Sequence, residues 1–233
     1  MPDIQHLDVD GRSIAYRLRG GGSPTLIFLP GYASDMEGAK ALALDAFAER
    51  RGHAMLRLDY SGTGSSPGRF QDGTLSNWIE EALAAIDRLT RGPLIVVGSS
   101  MGGWIALHLA LLRPERVRAL VGIAAAPDFT HWGFTEKQAN QLGDDGHLTR
   151  TFWESGQPLL LLKGEIAIDC PVRLLHGELD RDVPLDVAFR TLRALRSADV
   201  QLNVLKGGGH RLSEPHEIDA ILRTVAGLLE PAP

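Results

Sequence analysis

Leu94-Ile95-Val96-Val97-Gly98-Ser99-Ser100-Met101-Gly102-Gly103-Trp104 reads as a strand, a tight turn and the start of a helix. The first four residues are apolar on both faces, as in a strand covered on both sides within a parallel sheet. Ser100 then sits in a G-x-S-x-G spacing. A turn this tight crowds backbone against backbone, so glycine is needed where a side chain would collide. The turn lifts the Ser100 hydroxyl above the sheet and sets the free N–H groups of a helix start beside it. Ser100 is therefore a candidate nucleophile. Ser99 stands at the variable position and points elsewhere.

Strand and helix signals alternate on both sides of this turn. Short β-rich runs occur at residues 25–29, 54–58, 94–98, 117–123, 172–175 and 200–205. Residues 6–19 alternate around Asp10-Gly11, a tight-hairpin signal, and add two strands. Helical stretches fall at 39–50, 75–89, 101–112, 185–195 and 215–229. In the second of these, Leu75, Trp78, Ile79, Ala82, Leu83 and Ile86 share a face. The third stops before Pro114. The expected fold is α/β, a mostly parallel, doubly wound sheet of eight strands, forming one domain over residues 1–233.

One stretch breaks the rhythm. Residues 127–169 separate two strands by far more chain than an ordinary connection needs. Helices are expected near 135–141 and 148–155. Phe129, Trp132, Phe134, Phe152 and Trp153 are too many large apolar groups for an exposed connector, so the insert is expected to be a helical lid with these side chains lining a substrate pocket.

Composition narrows the class of protein. The 233 residues are 44% hydrophobic, with a formal net charge of −5. That balance argues against a nucleic-acid surface, which needs a basic patch. The single cysteine, Cys170, cannot form an internal disulfide and reads as a small buried hydrophobe. No apolar run approaches the ~20 residues of a membrane helix, and residues 1–7 lack a signal-like core. A cytoplasmic protein without a membrane span is expected.

A serine hydroxyl needs a base and a group that orients the base. Two loops that leave the ends of strands supply them. After residues 172–175 comes His176-Gly177-Glu178-Leu179-Asp180-Arg181-Asp182-Val183-Pro184, and after 200–205 comes Lys206-Gly207-Gly208-Gly209-His210. Asp180 is the preferred acid. Asp182 reads better as a helix cap near Pro184, and Asp128 and Glu178 are weaker candidates. His210 is the preferred base; His176, at a strand end, and His216, at a helix start, fit structural roles. The backbone N–H groups of Met101 and Tyr32 are the candidate oxyanion donors, and the Tyr32 ring is a candidate wall of the pocket. Look-alike motifs fail. Gly62-Thr63-Gly64 lacks the third glycine of a dinucleotide loop, and His216-Glu217 lacks a second histidine at zinc spacing, so neither a cofactor nor a metal is expected.

With these residues in hand, the chain resembles the α/β-hydrolase superfamily along its whole length. Within it, it is similar to the family that joins the animal mitochondrial palmitoyl-protein thioesterase and acyl-glucuronide esterase to bacterial relatives. The resemblance rests on Leu29-Pro30-Gly31-Tyr32-Ala33-Ser34-Asp35-Met36, on Asp59-Tyr60-Ser61-Gly62-Thr63-Gly64-Ser65-Ser66, on Gly98 to Trp104, and on Cys170-Pro171-Val172-Arg173-Leu174-Leu175-His176-Gly177. Carried over by position, the family's triad falls on Ser100, Asp180 and His210. It implies a serine hydrolase acting on acyl esters or thioesters, with no cofactor. The stretch between Gln141 and Trp153 reads shorter than the family's lid, which points to short or medium acyl groups. A peptidase, a carbon–carbon hydrolase or perhydrolase, and a non-catalytic binding protein are the competing readings.

Overall fold

The computed structural model describes residues 1–230. Its strands are β1 Gln5–Val9, β2 Arg12–Arg19, β3 Gly22–Leu29, β4 His53–Leu58, β5 Leu94–Ser99, β6 Val117–Ile123, β7 Val172–Gly177 and β8 Val200–Leu205. The helices are α1 Ala39–Arg51, α2 Leu75–Leu89, α3 Met101–Leu112, α4 Phe129–Trp132, α5 Glu136–Ala139, α6 Arg150–Gly156, α7 Leu185–Ala194 and α8 Pro215–Leu229.

The eight strands form one sheet in the order β1-β2-β4-β3-β5-β6-β7-β8. Only the pairs β1–β2 and β2–β4 are antiparallel; the rest are parallel. The hairpin turns at Asp10 and Gly11, where φ is 52° and 82°. Two successive left-handed residues match the twist of the strands they join. Beyond it, β3 runs between β4 and β5, so the chain winds first to one side and then to the other. The carboxyl ends of β3 and β5 meet where the winding reverses, which is where an open α/β sheet leaves a crevice.

Side chains on β5 alternate between the two faces. Leu94 and Val96 join the core under α2 and α3, whereas Ile95 and Val97 join the core under α1 and α8. Helix α3 is buried from Met101 to Ala110 and reaches the surface only at Leu112, which explains its lack of a polar face. Helix α2 starts at Thr74, whose hydroxyl accepts from the Asn77 N–H, and α8 starts with a Glu214–Glu217 capping box and Pro215.

The connection from β6 to β7 holds α4, α5 and α6. The expected helices near 135–141 and 148–155 appear as α5 and α6, and α4 is an additional turn directly after β6. A buried carboxylate ties the connection down. Asp128, in the left-handed region at φ 60°, accepts from the N–H groups of Leu161 at 2.8 Å and Leu162 at 2.7 Å. Both oxygens join the two ends of the connection, and the His210 ring bonds Asp180 rather than Asp128.

Candidate active site

Glycines fix the turn at the end of β5 by backbone contact. A Cβ at Gly98 would lie 2.2 Å from the Gly102 carbonyl oxygen, and one at Gly102 would lie 2.2 Å from that of Leu29. At Gly103 it would meet the Ala125 side chain at 2.5 Å. Ser100 itself is held at φ 53° and ψ −119°, in a strained region for a residue with a side chain. Three backbone hydrogen bonds hold it there: its N–H donates to Ile123 O at 2.9 Å, and its carbonyl accepts from Gly103 and Ala126.

The structure brings Ser100, His210 and Asp180 into one hydrogen-bonded chain. Ser100 Oγ lies 3.0 Å from His210 Nε2, and His210 Nδ1 lies 2.8 Å from Asp180 Oδ2. Both distances suit hydrogen bonds between these groups. The loop carrying His210 packs close to β7, since a Cβ at Gly177 would come 2.4 Å from the Gly208 carbonyl. The other Asp180 oxygen accepts from the N–H groups of Asp182 at 2.9 Å and Val183 at 2.8 Å. Burial pushes the Asp180 carboxyl up. The hydrogen bond from His210, those from the two amides and the His210 charge outweigh it, so Asp180 stands below the usual carboxylate range.

One residue departs from expectation. Asp182 does not cap α7: Pro184 holds the cap position and no side chain bonds there. Its exposed carboxylate instead faces a cavity beside His210. Asp180, Asp182 and His210 offer ligand atoms within 4.8 Å of one another. A cation there would compete with the bond that joins two of them. His176 carries a contact the sequence did not reveal. It is buried, with Nε2 2.9 Å from the Val183 carbonyl and 3.5 Å from Asp180 Oδ2. Its place at the end of β7, facing the 178–183 loop, was the only available signal.

The loop after β3 closes over Ser100. A Cβ at Gly31 would lie 3.2 Å from Ser100 Cβ, so the Gly31–Tyr32 backbone runs against the serine. Among the described residues, neither the Tyr32 nor the Met101 N–H donates to another protein group. The Tyr32 hydroxyl donates to the His147 carbonyl at 2.7 Å, and burial raises its pKa.

A cavity of about 630 Å³ opens beside Ser100, and Tyr32, His147, His210, Lys40 and Arg211 are among its lining residues. None of Phe129, Trp132, Phe134, Phe152 and Trp153 lines it, contrary to expectation. The connection uses these rings to hold itself together. Phe152 is buried and packs 4.8 Å from Tyr32, 5.4 Å from Trp78 and 5.8 Å from Phe129. Trp132 donates to the Pro127 carbonyl and packs on Ala126, Val183 and Val187. Trp153 lies under the Arg150 guanidinium at 5.2 Å, and Phe134 is half-buried. The aromatic cluster therefore backs the Tyr32 ring, and Tyr32 alone of this group faces the cavity.

Sheet order, elbow and loops define an α/β-fold hydrolase. The chain belongs to the alpha/beta hydrolase fold family, whose sequence model matches residues 24–149. It is 37% identical to the mitochondrial palmitoyl-protein thioesterase ABHD10 of Homo sapiens over 235 aligned positions, covering 94% of this chain and 77% of the relative. Its structure superposes on alpha/beta hydrolase domain-containing protein 10 from mouse with a TM-score of 0.92 and 35% identity, over 97% and 98% of the two chains. A crystal structure described as a putative hydrolase from Agrobacterium vitis S4 matches at a TM-score of 0.89 and 36% identity, over 98% and 99%. Among the described residues no helix is long and apolar enough to cross a membrane.

Proposed function

We propose that this hydrolase cleaves carboxylic ester or thioester bonds of small acyl substrates through an acyl-enzyme intermediate. The observation that carries the reading is the chain Ser100 Oγ–His210 Nε2, His210 Nδ1–Asp180, opening onto a cavity. Ser100 Oγ bonds to the acyl carbon while His210 Nε2 takes its proton. The bond from that carbon to the leaving oxygen or sulfur breaks, and His210 returns the proton to the leaving group. Water repeats the sequence and releases the acid. Asp180 keeps the proton of neutral His210 on Nδ1 and stabilises the imidazolium. The Tyr32 and Met101 amides bind the oxyanion, a contribution of typically about 10²–10³ in rate per donor. The connection between β6 and β7 acts as a lid, and His147 from it lines the cavity.

The polar groups lining the cavity favour acyl groups of short or medium length. The relatives' thioesterase name favours a second reading, a thioesterase for long acyl chains. Matched p-nitrophenyl esters and thioesters from acetyl to palmitoyl separate the two. On the first reading kcat/KM rises with chain length by at most ~0.8 kcal/mol per CH₂ and levels off at medium length. A rise that continues to palmitoyl contradicts it and supports the second. The ratio of ester to thioester turnover at one chain length reports the bond preferred.

A further inference from the structure

His176 stands behind the triad acid, and the hydrolytic steps do not use it. The ring is buried at the carboxyl end of β7, with Nε2 2.9 Å from the Val183 carbonyl oxygen and 3.5 Å from Asp180 Oδ2. A carbonyl oxygen only accepts, so Nε2 carries a hydrogen and donates it. Val183 is also the residue whose N–H donates to Asp180 Oδ1 at 2.8 Å. Both of its backbone polar groups are therefore engaged, the carbonyl by the His176 ring and the N–H by the Asp180 carboxylate. At 3.5 Å the direct contact with Asp180 is long for a hydrogen bond. The bond through Val183 is the one that carries the connection.

The two halves of the 178–183 loop are anchored differently. The first half is tied to β8 and to the loop of His210, because the N–H groups of Glu178 and Leu179 donate to the carbonyls of Leu205 and Gly208. In the second half Arg181 and Asp182 are exposed, and the N–H groups of Asp182 and Val183 donate to Asp180 itself. This half reaches the body of the protein through the Val183 side chain, packed with Ala126 and Val187, and through the His176 bond. Packing holds Val183 in place, whereas the directed bond sets the rotation of its backbone. That rotation decides where the Val183 N–H points, and so where the buried Asp180 carboxylate points.

We propose that His176 is a positioning residue for the triad acid: through Val183 it keeps the Asp180 carboxylate aimed at His210 Nδ1. This rests on the hydrolytic reading above. The relay runs from His176 to Val183, Asp180, His210 and Ser100, and His176 itself does not line the cavity.

The test is a double-mutant cycle on one ester, with circular dichroism to confirm folding. It compares His176→Leu, His176→Gln, Asp180→Asn and the combination of His176→Leu with Asp180→Asn. Glutamine keeps an N–H donor near the place of Nε2, and leucine loses it. His176→Leu should lower kcat about tenfold with KM little changed, the order of one lost hydrogen bond. His176→Gln should restore most of that loss. In the Asp180→Asn background the leucine change should cost less than about twofold, because no carboxylate remains to be aimed. A ring that merely fills space would cost the same factor in both backgrounds, and that result, or full activity in His176→Leu, overturns the proposal. His176→Phe, which keeps a flat ring without the donor, replaces leucine if that variant does not fold. Unfolding of both assigns the bond to folding and overturns the proposal too. Failure of the wild type to hydrolyse any ester overturns the hydrolytic reading instead. In that event the far-downfield proton NMR signal of the His210 Nδ1–H bonded to Asp180 decides. A signal moved or lost in His176→Leu and kept in His176→Gln supports the positioning role. A signal identical in all three proteins, or absent from the wild type, overturns it.

Discussion

The turn at the end of β5 is shaped by backbone meeting backbone, whereas the connection between β6 and β7 is shaped by side chains meeting side chains. At Gly98 and Gly102 a single methyl group would overlap main-chain atoms at 2.2 Å, so one conformation and one residue type are permitted. In the connection, Phe129 and Phe152 pack against Tyr32, and two bonds to Asp128 join its ends. The first kind of constraint acts locally and leaves a mark in the sequence. The second depends on partners far along the chain. The two regions meet at Tyr32, whose backbone runs against Ser100 and whose ring rests on the aromatic cluster.

Substitutions on the two sides should separate accordingly. The largest effect is expected at the acid. Asp180→Asn should lower kcat by about 10⁴, because the wrong histidine tautomer is favoured, while Asp182→Asn should be much milder. Steady-state kinetics on one ester checks both, and a greater loss at Asp182 reverses the assignment. The same variant has a stability signature. The Asp180 carboxyl is lowered in the folded state, so it stabilises the fold above the usual aspartate range, and this contribution disappears as pH falls through its folded value. Urea unfolding should therefore show the gap between wild type and Asp180→Asn closing on acidification.

Next comes the connection. Phe152→Ala should cost about 3–5 kcal/mol of stability, as for a buried phenylalanine truncated to alanine. The cost should appear in the denaturation midpoint. A cost under about 1 kcal/mol would mean that the cluster does not hold the connection.

A smaller loss of stability is expected at Gly102→Ala, about 1–3 kcal/mol for overpacking. Here activity should fall far more than stability, because the displaced atoms carry Ser100. Comparable activity losses in Phe152→Ala and Gly102→Ala would erase the contrast between the two regions.

This contrast also governs what the sequence could reveal. Strand positions were legible because two-sided apolar runs and helical spacing report burial directly, as with Leu94 to Val97 and the α2 face. The meeting of Ser100, Asp180 and His210 at one end of the sheet was legible because each follows a strand carboxyl end. The destination of the five insert aromatics was not. Composition reports that a ring must be covered but does not say by what, and Phe152 was covered by Tyr32 and Trp78, not by a substrate. Asp182 was misassigned as a cap because proximity to Pro184 in sequence says nothing of where its carboxylate points. Lys40 and Arg211 reach the cavity from segments far apart in the chain, so no local pattern marks them.

The central claim is that Ser100 is the group that reacts. Labelling with a fluorophosphonate probe tests it directly, in wild type, Ser100→Ala and Ser99→Ala, with circular dichroism to confirm that each folds. Wild type and Ser99→Ala should label and Ser100→Ala should not. Undiminished labelling of folded Ser100→Ala would contradict the account.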